Sequence, residues 1–363
     1  MIYGKKRASN VELLRILSML MIVIGHYFTH NGIANNMLPI GINRFLSEFL
    51  CFGTIGVAIF IITSGYFLGS SKKNLQISKL VKILLQVFFY SSIIFLLFVL
   101  FCGEKPSMNN LAHSLAPVTF KAYWFVTVYV LIYLFHPFIN KFLQTLTRSQ
   151  YIKFICLSIF IFSFIKMVTG QDFYAGNAGL FLTYYAIGNY LRLYKDSLFS
   201  KRKNRVIILL SSILAVAASI IVFDLLGGAF GTHSSHFISS GGTIFVLAIA
   251  VCMFCALAYA RPFESKIVNI VASTTFGIYL IHDNYLVRGI IWTNIFHNAD
   301  YINSPLMLLH MLGVVLLVFV ACGAIELIRK NTVERFYVFV IAPRIEAAQA
   351  KISKKIDSKN KIQ

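Results

Sequence analysis

The chain has 363 residues, of which 58% are hydrophobic and only 13% charged, and its mean hydropathy is +0.76. A water-soluble domain is about 45–50% apolar and about a quarter charged, so a soluble globular protein is excluded. The formal net charge is +20, but the basic residues lie in short segments between apolar runs. Topology and anionic lipid account for that pattern, and it gives no basic face for a nucleic acid.

Spans of about 20 apolar residues are long enough to cross the hydrocarbon core as helices. Taken in chain order, they are predicted at 11–30, 45–68, 79–102, 121–140, 150–169, 177–195, 205–226, 242–260, 268–290 and 306–328. The fold class expected is an all-α integral membrane protein, a bundle of about ten transmembrane helices with both termini in the cytoplasm. The basic stretch Lys5-Lys6-Arg7 ahead of the first span is like a signal peptide, but no small-residue cleavage pattern follows, so a retained first helix is expected. The sixth span is the least apolar, because it carries Tyr184, Tyr185, Asn189 and Tyr190.

Placing the N-terminus in the cytoplasm and alternating puts 27 of the 33 Lys and Arg residues on the cytoplasmic side. An extra or missing helix would scramble that bias, so an even number of spans is expected. The outward loops contain Pro39, the Pro106–Pro117 segment, His233, His236 and His297 and are short and polar. Residues 1–329 form the transmembrane domain; 330–363 read as a basic cytoplasmic tail, partly interfacial and partly disordered. The six cysteines all lie in or beside apolar segments. Cys252 and Cys255 are expected to be two small packing residues, with neither a disulfide framework nor a zinc site.

Ionisable residues inside a span are costly and mark functional positions. The first helix carries Glu12, Arg15 and His26. Glu12 and Arg15, three apart, can pair. Arg15 and His26, eleven apart, project from one helix face and lie about 16 Å apart along the axis. Two readings of Arg15 stand: a guanidinium that binds phosphate or another anion, or a side chain snorkelling to the interface. For His26 they are a base for a hydroxyl proton or a packed, hydrogen-bonded imidazole. His30 follows His26 by four, a spacing known from metal sites, but no third ligand is evident and no metal is expected. Ser64-Gly65 reads as a packing notch or a site serine. Tyr123 and Trp124 read as an interfacial aromatic belt or site residues. His282-Asp283 is a hydrogen-bonded pair or a polar helix end, and His136 before Pro137 is structural.

Several of these residues fall in a pattern. Asn10-Val-Glu-Leu-Leu-Arg15 followed by Gly25-His26 resembles the opening of the membrane acyltransferase family called acyltransferase 3. Gly53-Thr-Ile-Gly56-Val57 with Phe60-Ile-Ile-Thr-Ser64-Gly65-Tyr66 is similar to its second-helix segment. Tyr123-Trp124-Phe125 with Tyr129 and Pro137 resembles its central helix, and Gly277-Ile278-Tyr279-Leu280-Ile281-His282 its late signature.

The resemblance implies an enzyme that moves an acyl group, usually acetyl, from cytoplasmic acyl-CoA (acetyl-CoA as donor substrate, with no permanently bound cofactor) to a hydroxyl of a glycan or polysaccharide. It implies a multi-pass protein of the cell (plasma or inner) membrane, working beside polysaccharide-assembly proteins. His26 would be the catalytic base and Arg15 an essential residue, donor-side or structural, with its partner Glu12 in the same catalytic set. Ser64, Tyr66, Tyr123, Trp124, Tyr279 and His282 would line the site. Where the family carries an arginine pair after the second helix, this chain has Ser70-Ser71-Lys72-Lys73, with Lys79 and Lys82 further on. These lysines would meet CoA phosphates as point charges, without the planar fork. A soluble hydrolase-like domain does not follow the last span, so direct transfer to a lipid-linked or growing polysaccharide, or hand-off to another protein, is expected. The rival classes are a polysaccharide exporter or flippase, in which Arg15 and His26 line a polar path, and a non-catalytic membrane subunit.

Overall fold

In a bilayer every backbone polar group must be satisfied internally, which leaves the helix as the local solution for an isolated apolar run. The computed structural model describes residues 8–30, 38–69, 75–103, 105–171, 176–226, 237 and 242–360. Among the described residues there is helix, turn and loop but no strand. The elements are α1 (Ser9–Thr29), α2 (Ile42–Phe49), α3 (Gly53–Leu68), α4 (Ile77–Phe101), α5 (Met108–Leu115) and α6 (Trp124–Thr145). They continue with α7 (Arg148–Thr169), α8 (Gly176–Leu193), α9 (Arg202–Leu225), α10 (Ile244–Ala258), α11 (Lys266–Ala272), α12 (Thr275–His282), α13 (Met307–Asn331) and α14 (Ala342–Asn360).

Among the described residues, seven helical stretches are long and apolar enough to cross a membrane: α1, α2 with α3, α4, α6, α7, α9, and α13 with its continuation to Ile352. The chain is therefore a multi-pass, all-helical protein. The other three predicted spans take different forms. The sixth is α8, in which Tyr184, Tyr185 and Asn189 are buried within the protein. The eighth is α10, a shorter apolar helix.

The ninth, predicted as one span over 268–290, is broken into α11, α12 and a helical piece at 287–295. Three consecutive hydroxyl residues stand at the first break. Ser273 Oγ donates to Ile270 O at 2.6 Å, Thr274 Oγ1 to Val271 O at 2.8 Å and Thr275 Oγ1 to Ala272 O at 2.9 Å. Such local bonds offer the carbonyls an alternative to the helical ladder. At the second break Asn284 Oδ1 accepts from Leu286 N at 3.0 Å. Past α13, where the sequence reads as a partly disordered tail, the backbone is helical through 333–341 and α14 to Asn360.

At the centre of the bundle, α1, α3 and α8 pack through glycines. A Cβ at Gly56 would run into the Ser18 carbonyl of α1, and one at Gly188 into the Ile62 carbonyl of α3. Small residues let helices approach this closely where lipid supplies no hydrophobic drive between them. Both α1 and the stretch of α2 with α3 are half buried, whereas α7 and α9 bury far less of their length, as suits helices at the rim of a bundle. The start of α1 is fixed by Asn10 Nδ2 donating to Leu257 O at 2.7 Å and Ser9 N donating to Phe263 O at 2.9 Å. Far along the bundle, Arg44 of α2 pairs with Asp224 of α9 at 2.6 Å.

Pro137 sits inside α6 and supplies no N–H to the Tyr133 carbonyl four residues back. His136 repairs the gap: its Nδ1 lies 2.5 Å from Tyr133 O and donates to it. The structural role expected for this buried histidine is the one it has.

Candidate active site

A cavity of ≈ 810 Å³ runs alongside α1. The residues that line it at this helix extend from Ala8, just before α1, through Val11, Glu12, Arg15, Met19 and Ile22 to His26. The eleven-residue spacing thus places the guanidinium and the imidazole on one internal surface, about 16 Å apart along the helix. Arg15 Nη1 bonds Glu12 Oε2 at 3.2 Å, and its side chain keeps 36% exposure. The arginine faces the cavity rather than lipid.

Of the other predicted residues, Ser64, Lys79, Lys82, Trp124 and Tyr279 also line the cavity. Ser64 Oγ donates to Phe60 O at 3.0 Å, within its own helix. Its neighbour Gly65 is the packing notch, set against the Tyr185 backbone of α8. The two readings of that dipeptide therefore divide between its two residues. Trp124, 44% exposed, also meets Phe181 edge-on, so its ring serves as both wall and rim. Lys72 and Lys73 lie outside the described residues.

Three predicted residues do not line this cavity. Tyr66 carries the Arg192 guanidinium over its ring at 5.0 Å and accepts from Arg192 Nη1 at 3.3 Å. Tyr123 donates to Leu280 O at 2.9 Å and accepts from Asn284 Nδ2 at 2.7 Å, tying α6 to the end of α12. His282 is fully buried behind His26. Its Nε2 lies 2.9 Å from His26 Nδ1, while its Nδ1 lies 2.6 Å from Ile278 O.

A carbonyl oxygen accepts only, so His282 Nδ1 must carry the proton. In the neutral ring His282 Nε2 is then an acceptor, and His26 Nδ1 must donate to it. The lone pair of a neutral His26 is thereby placed on Nε2. Asp283 Oδ1 stands 3.8 Å from His26 Nδ1 and 3.3 Å from His30 Nε2. The pair His282-Asp283 is therefore part of the His26 environment and not merely a polar helix end.

At the basic end of the cavity a second group was not evident from the sequence. Glu326 of α13 is buried and receives Tyr90 Oη at 2.6 Å, Gln86 Nε2 at 3.0 Å, and Arg329 Nε and Nη2 at 2.7 and 2.8 Å. Arg329 Nη2 also donates to Glu334 at 2.6 Å, and Glu334 pairs with Lys82. Glu326, Glu334 and Lys330 all line the cavity. The signal that could have led to Glu326 is Gly277 in the late motif: a Cβ there would lie 2.5 Å from the Glu326 carboxyl carbon. The glycine exists to admit that carboxylate.

A partly aromatic cavity with a cation at one end and an oriented imidazole at the other, inside a multi-pass helical bundle, defines a membrane protein with a polar site set within its helices. The acyltransferase 3 family, described as an acyltransferase domain, matches residues 9–327, nearly the whole chain, and the protein belongs to that family. Comparison with curated proteins and with solved structures gives no match.

Proposed function

We propose that the protein is an O-acyltransferase that moves an acyl group, acetyl in the first instance, from cytoplasmic acyl-CoA to a hydroxyl of a cell-surface polysaccharide or glycan precursor. The observation that carries the proposal is the single cavity lined by both Arg15 and His26. The plasma membrane is the site of action, and the Arg15 end of the bundle faces the cytoplasm, in keeping with the Lys and Arg bias. Acetyl-CoA is a substrate, and the cavity is its path.

In this reading the CoA phosphates meet Arg15, Lys79, Lys82 and Lys330; Arg15 and Lys82 exchange their carboxylate partners, and Lys330 its carbonyl partner, for phosphate oxygens. The pantetheine arm follows the apolar and aromatic wall of Phe60, Phe125 and Tyr279 toward His26. His26 Nε2 takes the proton of the acceptor hydroxyl as its oxygen attacks the thioester carbonyl carbon. The carbon–sulfur bond breaks, the sulfur leaves as thiolate, and the imidazolium returns the proton to it. The products are the O-acyl ester and free CoA. His282 holds the imidazole in the reactive tautomer, and Asp283 offsets the transient positive charge.

Purified protein given radiolabelled acetyl-CoA and a polysaccharide acceptor is expected to release CoA in proportion to ester formed. His26→Ala, inserted and folded as wild type, is expected to lose that activity. Retained transfer by His26→Ala would remove His26 from the reaction, and acceptor movement without ester formation would favour an exporter.

A further inference from the structure

On the far side of His26 from the Arg15 mouth, three side chains offer ligand atoms to a common point. His26 and His30 stand one turn apart on α1, with ring centroids separated by 4.7 Å. Asp283, which follows α12, brings a carboxylate oxygen to within 3.3 Å of His30 Nε2 and 3.8 Å of His26 Nδ1. All three ligand atoms lie within 4.8 Å of one another. His30 had the spacing of a metal ligand in the sequence but no third partner. The tertiary structure supplies one from more than 250 residues away.

The separations are compatible with an ion between them. In a tetrahedral zinc site with bonds of about 2.0–2.1 Å, neighbouring ligand atoms stand roughly 3.3–3.4 Å apart. The two measured edges to Asp283 are 3.3 and 3.8 Å, so modest side-chain rotation closes the triangle around an ion. The donor set is two imidazoles and one carboxylate, which suits zinc and its neighbours and not calcium or magnesium. Three protein ligands leave the fourth position open to water or another oxygen.

We propose that His26, His30 and Asp283 bind a zinc-class divalent cation, and that the ion competes with acyl transfer for His26. The second half rests on the function proposed above. A neutral imidazole has one ring lone pair. When a metal takes it at Nδ1, the ring proton moves from Nδ1 to Nε2 and no proton is released. Nε2 then carries a hydrogen and cannot accept one from a hydroxyl, and the hydrogen bond from His26 Nδ1 to His282 Nε2 is lost. The metal-bound state is therefore an off state of the same residue.

The test uses the full-length protein, purified in detergent without a histidine tag and stripped with chelator. Titrated with Co²⁺, wild type is expected to take up one ion per chain and to show the intense visible bands of a tetrahedral cobalt centre, displaced by Zn²⁺. His30→Gln and Asp283→Asn, checked by gel filtration for an unchanged fold, are expected to lose those bands. Failure of the wild type to bind, or equal bands in both variants, would overturn the site. This arm needs no activity and stands apart from the enzymatic reading. In the second arm Zn²⁺ is expected to inhibit wild-type acyl transfer, and His30→Gln to relieve the inhibition relative to its own zinc-free rate. Stoichiometric zinc uptake without inhibition would overturn the competition.

Discussion

His26 Nδ1 lies 2.9 Å from His282 Nε2, and the second nitrogen of His282 is held 2.6 Å from the Ile278 carbonyl. The consequence is a one-directional chain of hydrogen bonds that starts at a backbone oxygen and ends by fixing where the His26 lone pair resides. A residue outside the cavity thus determines the chemistry of one that lines it.

Replacing His282 tests that chain. His282→Phe keeps an aromatic in the buried position but removes the acceptor for His26 Nδ1. Its kcat is expected to fall by about 10² or more, the usual scale for a mis-set base, with the KM for acyl-CoA little changed. In His282→Gln an amide oxygen can accept the same hydrogen, and partial recovery is expected. Steady-state kinetics on both variants check the split; a KM effect alone would make His282 a packing residue.

Lys82 is expected to act on binding and not on the chemical step. It lines the cavity and pairs with Glu334, so a phosphate must compete with that carboxylate. Lys82→Ala is expected to raise the KM for acyl-CoA roughly ten- to hundredfold, since a charge-assisted bond contributes about 1.5–3 kcal/mol, and to leave kcat near the wild-type value. Glu334→Gln removes the competing charge and is expected to lower KM. Titrations of acyl-CoA against initial rate read both.

Gly277→Ala is expected to be strongly destabilising despite its size. The added carbon would lie 2.5 Å from atoms of the buried Glu326 side chain, which is held from three directions by Gln86, Tyr90 and Arg329. Displacing it leaves buried polar groups without partners, at about 1–3 kcal/mol each and more for charged ones. Thermal unfolding in detergent measures the loss; an unchanged midpoint would mean that the network can shift without cost.

His136→Phe tests the repair of the proline gap in α6. The variant keeps the ring but leaves the Tyr133 carbonyl without the donor now 2.5 Å away. A loss of about 1–3 kcal/mol is expected for a buried acceptor left unsatisfied, and His136→Asn, which retains an N–H, is expected to lose less. The same unfolding measurement separates them.

How much of the molecule was legible beforehand follows from which forces are local. Apolar runs of membrane length show directly as the helices α1, α4, α6, α7, α9 and α13, because backbone satisfaction in lipid is decided within each segment. The alignment of Arg15 with His26 is equally local, since it needs only the pitch of one helix. Less legible were α8, α10 and the region 268–290. Burial inside the bundle lets α8 carry tyrosines and Asn189, and the hydroxyls of Ser273, Thr274 and Thr275 break a stretch whose apolar content alone reads as one span.

By itself the sequence determined the solvent, the helical class, the family and the helix face on which the reactive residues stand. Only the tertiary structure decided their partners. His282 reaches His26 across 256 residues of chain, and Glu326 reaches Gln86 across 240. Asp283 completes a triangle whose other corners lie near the N-terminus. Helical periodicity fixes directions within one segment, but nothing in it encodes which faces of distant segments will meet. That is settled by packing, where glycines such as Gly56 and Gly188 bring backbones close enough for buried polar groups to find one another.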